Sequence, residues 1–278
     1  MYNKLVLSGG AKRGLLLLGS LEYLYENKVL DGIVEYVGTS IGGIICYLLI
    51  IGYKASELVS YLVTHSFFNK FKHADLVSLT TGQGAFEWNV LREMLEEMTK
   101  RKHNRLFTMK ELYEVFGKKL TCITYNYTKQ IQEKVSYENY GETSCIDVLN
   151  MTSNIPLYFR KFKYNDNYYV DGGITNNFPI DVYKEGDKVL AINVTKMYIK
   201  DTDKMPNYML NLCTSVIIDN VKKNVEMYKD NKDIHMILIE GKDVTTVGLS
   251  VNTSDVFNIF SYGYSFTSVY FKNYMNVS

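Results

Sequence analysis

One serine sits in a turn that leaves little room for side chains: Val37-Gly38-Thr39-Ser40-Ile41-Gly42-Gly43. A short apolar segment, Tyr36-Val37, leads in, and the apolar run Ile44 to Ile51 leads out. A serine with glycines two residues away on each side, at a strand-to-helix junction, reads as a sharp, strained turn that lifts the hydroxyl clear. A side chain at either glycine would meet the neighbouring helix or strand. An ordinary glycine turn with a serine N-cap fits the same residues. A related junction precedes it. The segment Tyr2 to Leu7 stops at Ser8-Gly9-Gly10, and beyond Gly9-Gly10-Ala11-Lys12-Arg13-Gly14 the residues Leu17, Leu18, Leu21, Leu24 and Tyr25 share one helical face. Strand, glycine loop and helix, twice in succession, lead to the expectation of an α/β fold, three-layer α/β/α with a mainly parallel central sheet.

The remaining chain fits that expectation. Ile41 to Ile51 reads as a buried helix closed by Gly52, and Ser56 as the cap of a helix reaching Thr64. Trp88 to Arg101 is amphipathic and runs into a basic stretch ending at Arg105, and Thr108 to Glu111 is a capping box. Lys119 to Tyr127 and Ile131 to Tyr137 read as paired strands, and Asn165-Asp166-Asn167 as the turn of a hairpin. Lys188 to Val194 and Ile234 to Glu240 read as further strands, and Tyr208 to Tyr228 and Ser254 to Tyr274 as long helices. With three prolines, no repeat and no low-complexity linker, residues 1–278 are expected to form one domain.

Composition narrows the function classes. A net charge of +1 argues against a protein that holds nucleic acid through bulk positive charge. Four cysteines without a C-x-x-C pair suit reduced thiols rather than a zinc site. The longest apolar run, Ile44 to Ile51, falls far short of the ~20 residues of a spanning helix, and no signal peptide is read at the start. A cytoplasmic protein with no metal and no cofactor is the expectation.

The first loop presents backbone N–H groups at a helix N-terminus, which suits a phosphate or an oxyanion formed during catalysis. It matches neither a P-loop nor a dinucleotide fingerprint. A third glycine motif, Asp171-Gly172-Gly173, follows the second strand of the hairpin. A serine, an acid at a strand end and a loop of N–H donors are the parts that ester hydrolysis requires. The base is less obvious. Of His65, His73, His103 and His235, only His235 follows Asp171, and its apolar surroundings read as a plain strand position. Asp171 can serve Ser40 directly if its environment raises its basicity.

Gly9-Gly10-Ala11-Lys12-Arg13-Gly14, Gly38-Thr39-Ser40-Ile41-Gly42 and Asp171-Gly172-Gly173, in this order and with Asn177-x-Pro179 beyond, resemble the motifs of the patatin-like phospholipase family. The match spans about two thirds of the chain, and Ala11 stands where the family often has a third glycine. The resemblance implies Ser40 as nucleophile and Asp171 as base of a Ser-Asp dyad. It implies an oxyanion hole from the N–H groups of Gly9, Gly10, Ala11 and Arg13, an elbow shaped by Gly38 and Gly42, and support from Lys12, Gly14, Gly172 and Gly173. The side chain of Lys12 or Arg13 would hold the loop or meet a phosphate head group. The implied reaction is acyl-ester hydrolysis of a phospholipid or lysophospholipid through an acyl-serine, with transient contact at a membrane surface and no nucleic acid. The same dyad would serve a neutral-lipid lipase or an acyltransferase. A non-catalytic lipid-binding protein of the same fold would be expected to lose it.

Overall fold

The computed structural model describes residues 1–71, 84–195, 205–241 and 251–275. The chain opens with β1 (Lys4–Leu7), α1 (Gly14–Glu26), β2 (Glu35–Thr39), α2 (Ile41–Ile50) and α3 (Ala55–Thr64). Beyond a 3-10 turn at Phe67–Phe71 come α4 (Asn89–His103), α5 (Met109–Phe116), β3 (Lys119–Asn126), β4 (Ile131–Val135), α6 (Tyr137–Tyr140) and α7 (Cys145–Ser153). The hairpin β5 (Phe162–Tyr164) and β6 (Asn167–Asp171) leads through α8 (Gly173–Asn176) to β7 (Val189–Thr195), α9 (Met205–Tyr228), β8 (Ile234–Glu240) and α10 (Thr253–Met275).

The strands form one eight-stranded sheet in the order β5-β6-β3-β2-β1-β7-β8, with β4 also paired to β3. From β3 to β8 all neighbours are parallel. The hairpin and β4 add an antiparallel margin. The sheet is therefore mixed and mostly parallel, as expected. Its parallel strands are covered on both faces, which is why β7 is buried from Val189 to Val194 and apolar there except at Asn193. One face packs against α1, α2 and α10, and the other against α9 and the segment carrying Phe178 and Ile180.

Parallel register places the carboxyl ends of β1 and β2 level: Leu7 lies beside Gly38. Loops leaving these ends converge on one edge of the sheet, where ligand sites of open α/β sheets form. Local caps behave as read at Thr108, whose hydroxyl and the Glu111 carboxylate exchange backbone bonds at 3.2 and 2.8 Å. Ser56 differs from its expected role. The helix starts at Ala55, the Glu57 carboxylate takes the Lys54 N–H at 2.7 Å, and the Ser56 N–H goes to Glu22 at 2.8 Å. A carboxylate in the first turn satisfies the orphan donor more strongly than a hydroxyl. Among the described residues, no single helix is long and apolar enough to cross a membrane.

Candidate active site

Ser40 adopts φ 55° and ψ −127°, a backbone that side-chain-bearing residues rarely take. Its side chain makes no cap hydrogen bond to α2, so the N-cap reading of this turn does not hold. The flanking glycines allow the turn. A Cβ at Gly38 would lie 2.4 Å from the Gly42 carbonyl carbon, and one at Gly42 would lie 2.6 Å from the Leu7 carbonyl oxygen. The strained conformation is held from outside: the Ser40 N–H donates to Thr152 Oγ1 at 3.0 Å, and the Thr39 hydroxyl donates to the Asn176 carbonyl at 2.8 Å.

Asp171 ends β6, its carboxylate accepts the Gly173 N–H at 2.7 Å, and it faces the Ser40 side chain closely enough to be stabilised by it. Its own N–H donates to the Asn154 carbonyl at 2.9 Å. Both Ser40 and Asp171 are buried. Burial raises the Asp171 pKa from 3.8 to about 6, against the opposing pull of Ser40 and the Gly173 N–H. A carboxylate that basic, facing a hydroxyl, can accept that hydroxyl's proton.

The glycine loop lies against this pair. A Cβ at Gly9 would sit 3.2 Å from Ser40 Cβ and 2.3 Å from Asn177 Oδ1. The predicted donors are not equivalent. The Gly9 N–H is bonded to the Asn177 carbonyl at 3.0 Å, and the Arg13 N–H to the Gly10 carbonyl at 3.0 Å. Both are spent on holding the loop, which leaves Gly10 and Ala11 as the N–H groups available to an anion. Ala11 takes φ 48°, a conformation that favours glycine. The Arg13 side chain is fully buried, which keeps it from a surface head group. Its Nε donates to the Gly10 carbonyl at 3.4 Å, Nη1 and Nη2 have no hydrogen-bond partner among the described residues, and burial lowers its pKa to about 10. Lys12 instead lines the adjoining cleft, and Gly14 packs on Ile41.

His235 lies elsewhere. It stands beside Leu190 near the amino end of β8, three strands from β2, and its ring nitrogens meet the Tyr2 and Tyr270 hydroxyls. His73 lies outside the described residues. Thr152 and Asn154 were not marked by any motif. Both end α7, and only the fold brings them to Ser40 and Asp171. Asn177 carried a signal in Asn177-x-Pro179, and it clamps Gly9.

From Ser40 a narrow apolar cleft runs between helices. Leu15 and Leu18 of α1, Ile44 and Leu48 of α2, and Met94 and Met98 of α4 line it. Phe67 and Phe68 are buried and form part of its wall. An apolar channel opening on a hydroxyl, a basic carboxylate and free N–H donors can hold an acyl chain with its ester carbonyl at the serine.

A family model described as patatin-like phospholipase matches residues 5–183. A probable lipid hydrolase of Invertebrate iridescent virus 6 is 31% identical over 258 residues, covering 92% of this chain and 83% of its own length. An uncharacterized protein of Acanthamoeba polyphaga mimivirus is 24% identical over 193 residues, covering 68% and 64% of the two chains. Among solved structures, VipD from Legionella pneumophila superposes with a TM-score of 0.59 at 15% identity, over 96% of this chain and 66% of VipD. ExoU of Pseudomonas aeruginosa, in its complex with SpcU, gives a TM-score of 0.52 at 14% identity, over 98% of this chain and 51% of that one. These two likenesses are likenesses of fold.

Proposed function

Since the chain belongs to the patatin-like phospholipase family, a family of lipid hydrolases, we propose that it cleaves fatty-acyl esters of phospholipids or lysophospholipids by a Ser40–Asp171 dyad. The observation that carries this reading is a buried carboxylate, its pKa raised to about 6, facing the Ser40 side chain at the mouth of an apolar cleft. Ser40 Oγ attacks the ester carbonyl carbon while Asp171 takes the hydroxyl proton. The carbonyl oxygen becomes an oxyanion that accepts the Gly10 and Ala11 N–H groups. As the intermediate collapses, the ester's C–O bond breaks and the leaving alcohol takes the proton from Asp171, so acyl-Ser40 remains. Water then attacks the acyl carbon and passes its proton to Asp171. Collapse of the second intermediate frees the fatty acid and returns that proton to Ser40.

Asp171 is held for this role by β6 and the Gly173 N–H, and Ser40 by Thr152. Arg13 keeps its buried charge beneath the Gly10 carbonyl and supports the loop from behind. Purified protein with labelled phospholipid vesicles tests the assignment. Ser40→Ala and Asp171→Asn are each expected to lower kcat about 10⁴-fold with the fold intact. A fluorophosphonate probe is expected to label Ser40 in the wild type and nothing in Ser40→Ala. Full activity in either variant would remove the dyad.

A further inference from the structure

A second pocket, of about 290 Å³, lies between β3, β4 and the segment 181–184. Leu120 and Cys122 of β3 point into the core shared with α2, so Thr121 between them points to the other face of the sheet. Glu35 lines this pocket and opens β2, whereas Thr39 closes that strand beside Ser40. A strand's length thus separates the two sites. Thr121 is 5% exposed and lines the pocket, and its Oγ1 has no hydrogen-bond partner among the described residues. A buried hydroxyl is rarely left unpaired, so Oγ1 marks where a guest of the pocket is bonded.

Three ammonium groups share the lining. Lys119 Nζ lies 2.8 Å from Glu138 and 3.9 Å from Glu35, and Lys134 Nζ lies 2.8 Å from Asp181. Lys184 has no ion pair among the described residues, yet its charge reaches the same Glu138. Lys119 foremost, with Ser136 and Lys184, holds that carboxyl below its ordinary pKa. The other two carboxylates are engaged as well. Glu35 also meets Lys4 at 3.2 Å, and Asp181 accepts from Asn176 Nδ2 at 2.6 Å. Formal charges in the lining balance, but its hydrogen-bonding groups do not. Each ammonium carries three donors, and most of these are unused. We propose that the pocket binds the phosphate group of a small, soluble phosphomonoester. Tetrahedral phosphate oxygens accept from several directions, which suits three lysines and the Thr121 hydroxyl better than a planar carboxylate does. The volume lies at the small end of ligand sites, and Val182 is the one aliphatic side chain in the lining, so no acyl chain is accommodated.

Calorimetric titration of the full chain with the phosphate monoester of glycerol, with inorganic phosphate and with glycerol tests the site. The monoester is expected to bind, inorganic phosphate to bind more weakly, and glycerol not to bind. Lys184→Ala and Thr121→Val are each expected to weaken the monoester about tenfold, and Lys184→Arg to keep most of the affinity. Thr121→Val removes a hydroxyl with no protein partner, so without ligand it should melt no lower than the wild type. No binding of the monoester at millimolar concentration, or binding unchanged in both Lys184→Ala and Thr121→Val, overturns the proposal. Vesicles bearing phosphatidic acid form the last arm. Binding to them with none to the soluble monoester would assign the site to a lipid head group and overturn it too. Neither substitution touches Ser40 or Asp171, so failure here leaves the hydrolase reading as it stands.

Discussion

The two ends of the parallel sheet treat buried charge in opposite ways. At the amino end Lys4, 1% exposed, is paired with Asp187 at 2.6 Å and Glu35 at 3.2 Å, and it also donates to the Val182 carbonyl at 3.0 Å. At the carboxyl end Asp171 is hydrogen-bonded by the Gly173 N–H, and among the described residues the terminal nitrogens of Arg13 have no hydrogen-bond partner. A buried charge is expensive unless paired and hydrogen-bonded. The amino end satisfies that rule. The carboxyl end leaves its charge uncompensated, and the same burial that weakens the fold makes Asp171 basic enough for proton transfer. Stability and chemistry are thus separated along the length of the strands.

The largest expected effect belongs to the paired end. Lys4→Met leaves Asp187 and Glu35 without their shared cation and should lower stability by about 3–5 kcal/mol. Chemical denaturation would show this as a lower midpoint at unchanged slope, and a loss below about 1 kcal/mol would make the pairing superficial.

Asp171→Asn should act in the other direction. The folded carboxyl holds its proton up to about pH 6, whereas the unfolded chain releases it near 3.8. Between those values the folded state binds more protons, so the group's stabilising contribution is complete below about pH 4 and is lost as pH rises through 6. The neutral amide escapes that loss, and at pH 8 the variant should be about 3 kcal/mol more stable than the wild type. Thermal melts at pH 8 and below pH 4 check it, because the advantage must vanish in acid.

On the proposed dyad, the same group sets the pH dependence of turnover. Ester hydrolysis should be level above about pH 6 and fall tenfold per pH unit below it, as the base becomes protonated. A rate profile that turns near pH 7 or above would point to a different base. The smallest effect lies in the glycine loop. Ala11 at φ 48° is strained where glycine is not, so Ala11→Gly should stabilise the protein by about 1 kcal/mol with activity retained. A destabilised variant would mean that the Ala11 methyl is packed rather than tolerated.

Much of this molecule was legible before its coordinates. Short-range chemistry fixes the strand–loop–helix junctions. The apolar runs of β1, β2 and β7, the capping box at Thr108 and the hairpin turn at Asn165-Asp166 all depend on neighbours in sequence. The order of the three glycine motifs singled out Ser40 and Asp171 for the same reason, since each marks a strand end. Contacts between distant segments were not legible. Thr152 and Asn154 bear no local pattern, and they reach Ser40 and Asp171 only because α7 packs beside β3 and β6. Gly19 and Gly263 look like weak points in two helices. In the fold they let α1 and α10 touch, since a Cβ at Gly19 would lie 1.9 Å from the Phe260 carbonyl oxygen.

The N–H groups proposed to bind the oxyanion show the division most sharply. The sequence by itself determined which loop supplies N–H groups, because glycine composition sets where the backbone is bare. Only the tertiary structure decided which of them are free. Asn177, 168 residues away along the chain from Gly9, accepts the Gly9 N–H, and a 3-10 turn consumes that of Arg13. The basicity of Asp171 belongs to the same class. A carboxylate's type is written in the sequence, but its pKa comes from how completely the packed strands and helices exclude water from it.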